Sequence, residues 1–273
     1  MLTPSRRLSP TALTAVAELE RRVTAADGGR LKLEWGTLRA RSGDRVEDFL
    51  WWDDDRLLGF AGLYRIGGEV EATGMVDPDA RGRGIGSALL GAVLDGASAP
   101  AVLLVVPRGS AAGASLALRR GGVPHHSEHA LQLRGEPAPG PTDPRVTVRP
   151  ATPGDVGTVT GILTDAFGDP GPGPADHLER TLVIEHDGAP VGTVRVDHED
   201  DRVGVYGFAV ARPYQGRGIG RQVLREVCRR ALAAGATTVE LDVAVGNDRA
   251  LGLYTSLGFR PVHTEDYYSV PTS

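Results

Sequence analysis

The chain has 273 residues, a formal net charge of −5 and 41% hydrophobic side chains. Its 37 glycines and 19 prolines are dispersed rather than periodic, which excludes collagen and points to a globular protein rich in turns. Mild acidity without basic blocks speaks against nucleic-acid and membrane-surface partners, because both need a positive field facing phosphates.

Single residues narrow the class further. Lys32 is the only lysine and sits in Leu31-Lys32-Leu33, so the Gly-Lys-Ser/Thr of a P-loop is excluded. Cys228 is the only cysteine, which leaves no intrachain disulfide and no thiolate metal cluster and makes a reducing cytoplasm the expected location. Thr14 and Glu18 interrupt the N-terminal segment before a signal-peptide core forms. The longest apolar run, Ala101 to Val106, is strand-sized.

In chain order, Ser9-Pro10 reads as a helix cap opening a helix to about Val23. Phe49 to Trp52, a turn at Asp53 to Arg56, and Leu57 to Tyr64 predict a strand, a hairpin turn and a second strand. A third strand, Val70 to Val76, runs into Arg81-Gly82-Arg83-Gly84-Ile85-Gly86. Leu89, Leu90, Val93 and Leu94 then form one apolar helix stripe. Gly135 to Pro144 carries four prolines and no periodicity, so it predicts an extended linker.

The same order then repeats. Strand Val146 to Arg149 leads to Thr152-Pro153-Gly154-Asp155 and a helix to about Phe167. The loop Gly168 to Pro174 is a candidate substrate wall. Strands Thr181 to His186, Val191 to Asp197 and Val203 to Val210 feed Gln215-Gly216-Arg217-Gly218-Ile219-Gly220. Val210 follows Val76 by 210 − 76 = 134 residues, and the stripe Val223, Leu224, Val227 and Cys228 repeats the earlier one. The expected fold is α/β (α+β). It comprises two tandem domains, residues 1–134 and 146–273, joined by the linker 135–145, each a mixed, mostly antiparallel sheet flanked by helices.

A strand ending in a glycine-rich turn that opens a helix aims several backbone N–H groups at one point, which makes an anion cradle. The dinucleotide fingerprint fails, since its last position falls on Ser87 in one loop and Arg221 in the other.

Both loops resemble the Gln/Arg-x-x-Gly-x-Gly/Ala loop of the GNAT acetyltransferase superfamily. The second copy continues with that family's further motif, Leu241-Asp242-Val243, Asn247, Ala250, Leu253-Tyr254 and Leu257-Gly258-Phe259. The tandem arrangement and the Tyr267-Tyr268 ending resemble its mycothiol synthase branch. The resemblance implies acetyl-CoA as donor, with its pyrophosphate on the N–H groups of Gly216 to Arg221 (Gly216, Arg217, Gly218, Ile219, Gly220, Arg221) behind Gln215. It also implies pantetheine beside Phe208, Ala209 and Val210, Asn247 near the thioester, and Tyr254 as general acid.

In the first copy Ser110 stands for Asn247 and Ala117 for Tyr254. That copy therefore reads as catalytically degenerate, contributing structure and part of the acceptor pocket, with Val76, Arg81, Gly82, Arg83, Gly84, Ile85 and Gly86 as a possible second CoA site. No acid lies on the strand Gly204 to Val210, and the nearest carboxylates by order are Asp197, Glu199 and Asp242, with His198 among them. His125, His126 and His129 read as surface residues, no metal is expected, and Cys228 reads as core.

The expected activity is acetyl transfer to a primary amine of a small molecule, by a monomer with an internal pseudo-dimer or by a homodimer. Alternatives are mycothiol synthase-type acetylation of a cysteinyl amine, acetylation of protein N-termini or lysines, and non-catalytic CoA binding.

Overall fold

A computed structural model describes residues 1–66, 68–168 and 174–272. Strand β1 (Leu2–Ser5) precedes helix α1 (Pro10–Asp27). The Ser9 hydroxyl accepts from the Ala12 N–H at 3.1 Å, and Pro10 takes a first-turn position that needs no donor. The helix runs past the expected Val23 and stops at Gly28, whose φ of +72° suits glycine. Helix α2 (Trp35–Ala40) and strands β2 (Asp48–Asp53), β3 (Arg56–Ile66) and β4 (Glu69–Val76) follow. A 3-10 turn at Pro78–Ala80 leads to α3 (Ile85–Gly96), β5 (Ala101–Pro107), α4 (Ala111–Arg119) and β6 (Val123–Leu133).

The second copy begins with β7 (Val146–Pro150), a 3-10 turn at Pro153–Asp155 and α5 (Val156–Phe167). Asp155 braces this start, accepting from both Arg149 Nη atoms at 2.8 Å and from the Thr152 N–H at 2.8 Å. Residues 169–173 of the expected substrate-wall loop lie outside the described residues. A 3-10 segment (Pro174–Arg180), β8 (Thr181–His186), β9 (Ala189–Glu199), β10 (Arg202–Val210), α6 (Ile219–Ala233), β11 (Thr238–Ala244), α7 (Asp248–Ser256) and β12 (Arg260–Pro271) complete the chain.

The chain divides into two compact units, and the division corrects the boundary read from the linker. One unit is Met1–Ser127 together with the stretch from His263 onward; the other is Glu128–Val262. In the first, strands run β1-β2-β3-β4-β5-β12, with Tyr267 opposite Val105 and Val270 opposite Val102. In the second they run β7-β8-β9-β10-β11-β6, with Leu131 opposite Leu241. The last strand of each copy thus completes the sheet built by the other copy. Nothing local forbids it, because β6 and β12 both pair antiparallel with their new neighbours.

The cores follow the predicted stripes. Leu89, Leu90, Val93 and Leu94 of α3 pack with Ala61, Leu63 and Ala72, while Leu19 and Val23 of α1 cover Phe60 and Met75 on the opposite face. In the second unit Val223, Leu224, Val227 and Cys228 of α6 pack with Val191, Val194, Val203 and Val205. The extended segment 135–145 is pinned within this unit, since Arg225 donates to the carbonyls of Ala138 and Pro141 at 2.9 and 3.2 Å.

Candidate active site

The second glycine loop is held in shape by Gln215. Its Nε2 donates to the Val210 carbonyl at 2.7 Å, and its Oε1 accepts from Arg249 Nη1 at 2.9 Å. Gly216 and Gly218 have φ of +76° and +84°, so the loop coils tightly and its amides converge at the start of α6. A Cβ on Gly218 would meet nothing within 4 Å, so the space beside it is open. Gly220 does different work. Its Cβ would lie 3.3 Å from Leu253 and 3.5 Å from Phe208, so it is a packing glycine seating α6 against α7 and β10. Arg217 lies over the Tyr214 ring at 5.2 Å, and Arg221 donates to Ser256 at 3.0 Å.

The first loop has the same form, with Gly82 and Gly84 at φ +78° and +83° and open space at both. Here Arg81 is paired with Asp27 at 2.6 Å and Arg83 donates to the Asp79 carbonyl at 3.0 Å.

Each loop follows a fork in its sheet. The parallel strands β10 and β11 pair only from Arg202↔Thr238 to Gly204↔Glu240. Beyond that point Val205–Val210, including Phe208 and Ala209, keep β9 on one side, and among the described residues no strand pairs with the other edge. A register shift between Tyr206 and Ala209 gives β10 one extra residue against β9. In the first unit β4 and β5 pair only at Glu71↔Leu103 and Ala72↔Leu104.

Beside the second fork stands α7. The Asn247 Oδ1 accepts from the Ala250 N–H at 3.1 Å and caps the helix. Tyr254, two turns on, is 9% exposed, with its ring 6.1 Å from Phe259. Burial pushes its phenol up to about 12, so the hydroxyl stays protonated at neutral pH. In the first unit Ser110 caps α4 in the same manner, accepting from the Gly113 N–H at 3.2 Å. Seven residues on lies the buried Ala117, and no phenol is delivered by that helix.

A family model described as the acetyltransferase (GNAT) family matches residues 16–106 and 163–259. The chain belongs to the GNAT acetyltransferase family. A mycothiol acetyltransferase of Kytococcus sedentarius is 31% identical over 97% of this chain and 96% of its own. Another, from Frankia casuarinae, is 32% identical over 75% of this chain and 69% of its own. Among solved structures, a GCN5-related N-acetyltransferase from Sphaerobacter thermophilus superposes with a TM-score of 0.79 at 22% identity, covering 99% of this chain and 96% of that one. A tandem GNAT protein from the clavulanic acid biosynthesis pathway gives 0.71 at 17% identity, covering 100% and 98%. The chain is a tandem GNAT acetyltransferase.

At the second GNAT fork, Gly204 lies directly across from Asp197. The Asp197 carboxylate is engaged by Arg195 Nε at 3.3 Å and Arg180 Nη1 at 3.5 Å. Arg195 in turn sits over the Tyr206 ring at 4.6 Å. His177, on the segment before β8, is pushed down by burial and by the Arg195 and Arg180 charges. Arg180 Nη2 lies 3.0 Å from its Nδ1. Sequence reasoning singled out Asp197 but missed its β9 neighbour Arg195 and also His177 and Arg180, which the 3-10 segment brings to β9. Asp242 lies on β11 opposite Ala130, a strand away.

The first GNAT unit holds a second polar cluster that no linear motif announces. The segment after α1 brings Arg30 to Glu265 at 3.7 Å and Lys32 to Glu71 at 3.7 Å, and the Lys32 Nζ donates to the Tyr267 hydroxyl. His126 stacks on the Tyr267 ring at 4.0 Å. His125 is exposed as expected, but His126 and His129 are half-buried on β6 rather than at the surface. A cavity of about 780 Å³ opens at this unit's fork, lined by both cradle glycines, Val76, Leu104, Arg30 and His263. Among the described residues no helix is long and apolar enough to cross a membrane.

Proposed function

We propose that this tandem GNAT protein transfers the acetyl group of acetyl-CoA to the primary amine of a small molecule, at a site in the Glu128–Val262 unit. The observation carrying this reading is the buried Tyr254 phenol, which the Asn247-capped helix supplies to the core against which Phe208 and Val210 of the forked strand pack. Its counterpart in the other unit is Ala117.

Bound acetyl-CoA supplies an activated acetyl group as a thioester. The amides from Gly216 to Arg221 receive its pyrophosphate at the helix start, and the strand-free edge of β10 beside Phe208, Ala209 and Val210 receives the pantetheine amides. The Tyr254 hydroxyl protonates the departing sulfur. The position across from Asp197 is Gly204, and the Asp197 carboxylate has arginine nitrogens at 3.3 and 3.5 Å. The strand Gly204 to Val210 carries no acid, and the acceptor's proton passes to water. The cradle of Val76, Arg81, Gly82, Arg83, Gly84, Ile85 and Gly86 holds a second CoA without turnover.

Two relatives named mycothiol acetyltransferase favour a cysteinyl amine of the mycothiol type as acceptor. The test is thiol release from acetyl-CoA, with product mass, across an amine panel that includes a cysteinyl amine, protein N-terminal peptides and lysine peptides. Acetylation of the cysteinyl amine above all others is expected. Turnover of peptides alone would replace the small-molecule reading, and no thiol release with any amine would leave a CoA-binding protein.

A further inference from the structure

The cavity of the first unit continues past the fork. Beyond the cradle glycines, Val76 and Leu104, it is lined by Ala61, Ala72, Leu89, Leu90 and Val93, between α3 and the sheet. All five are buried core positions, so the space reaches into the apolar interior. Register shows why it exists here. Gly59 pairs with Val76 and Gly192 with Val210, so Ala61 of β3 corresponds to Val194 of β9. Leu63 pairs with Ala72 and Val196 with Val205, so Ala72 corresponds to Val205. Two valines that fill the core of one unit are two alanines in the other, facing an equivalent helix stripe.

We propose that this cavity holds the acyl chain of a CoA thioester longer than acetyl. A molecule with a diphosphate at one end and an apolar chain at the other matches a space that begins at Gly82 and Gly84 and ends at Ala61, Ala72 and Val93. A short acetyl group reaches the fork and leaves the apolar end empty. A free fatty acid leaves the cradle empty. The inference rests on the reading of Gly82 and Gly84 as a CoA cradle, and it adds the ligand class. With Ala117 in place of a phenol on α4, the unit binds the thioester without transferring it.

The experiment uses the full chain carrying Gly218→Val, which closes the cradle of the second unit, and titrates acetyl-, butyryl- and hexanoyl-CoA by calorimetry. Affinity is expected to rise about fourfold per added methylene, the factor that follows from burying each one. Adding Ala72→Val should return hexanoyl-CoA to the affinity of acetyl-CoA while leaving acetyl-CoA unchanged. Thermal melting checks the fold, and Ala61→Val replaces that variant if it melts early. Equal affinity for all three esters overturns the inference and leaves the cradle reading standing. Absence of any CoA ester binding overturns both. Hexanoate binding as tightly as hexanoyl-CoA overturns the inference by detaching the apolar space from the cradle.

Discussion

Tyr267 of the last strand is the cross-strand partner of Val105, so the C-terminal strand closes a sheet begun at the N-terminus. Tyr267 is 1% exposed and packs with Leu103 and Val105. Replacing it with alanine removes the ring and the acceptor of the Lys32 bond, and should cost about 3 kcal/mol. Thermal unfolding of Tyr267→Ala measures the loss, and hydrogen exchange should show β5 opening first. Ending the chain at Val262 should have a larger effect of the same kind. Unchanged protection of β5 in the shortened chain would contradict the strand assignment.

The elements that were legible in the sequence are those whose signal is local. Thr181–His186 appears with its predicted bounds, and Ser9 caps as its spacing requires. The Gly216 and Gly218 turn is equally local, because only its backbone angles and glycine's tolerance of them are involved. Strand exchange was not legible. Whether β5 takes β6 or β12 depends on long-range pairing that neither strand's alternation encodes. The Asp197, Arg180, Arg195 and His177 cluster was hidden for the same reason, since 197 and 180 meet only through the β8–β9 hairpin. The Ala61 and Ala72 opening is invisible until register aligns them with Val194 and Val205.

Gly218→Val tests the cradle. At φ +84° a β-branched side chain is strained, and its methyls would occupy the open space ahead of α6. Calorimetry with acetyl-CoA should lose one of two binding equivalents, and thiol release should fall with it. Two intact equivalents would remove the pyrophosphate from this loop.

Cys228 faces the core of the second unit, fully buried, and burial pushes its thiol up from 9.0 to about 12. A folded-state value above the ordinary one means that the protonated form is favoured by folding. Its contribution is present below about pH 9 and drains away as the pH climbs toward 12. The native protein should resist a thiol-reactive probe at neutral pH and label only on unfolding. Rapid labelling of folded protein would move Cys228 out of the core. Cys228→Ser should leave thiol release unchanged per folded molecule, because the thiol carries no acetyl group.

Tyr254→Phe separates chemistry from packing. The ring's contacts with Phe259 and the surrounding core survive the change, so the KM for acetyl-CoA should hold. If the phenol protonates the departing sulfur, kcat should fall by about 10²- to 10⁴-fold. A hydroxyl with only a structural part would cost on the order of 1 kcal/mol of stability and leave kcat in place. The pH profile provides the second readout. Burial raises the phenol to about 12, so it remains a proton donor throughout the neutral and mildly alkaline range, and kcat of the wild type should show no alkaline fall below pH ~10. With water as proton acceptor across from Gly204, kcat/KM should rise with pH until the acceptor amine is neutral and then level off. Tyr254→Phe should keep that rise while losing the plateau height. Equal kcat for the two proteins, measured by steady-state thiol release with the best amine of the panel, would take Tyr254 out of the mechanism.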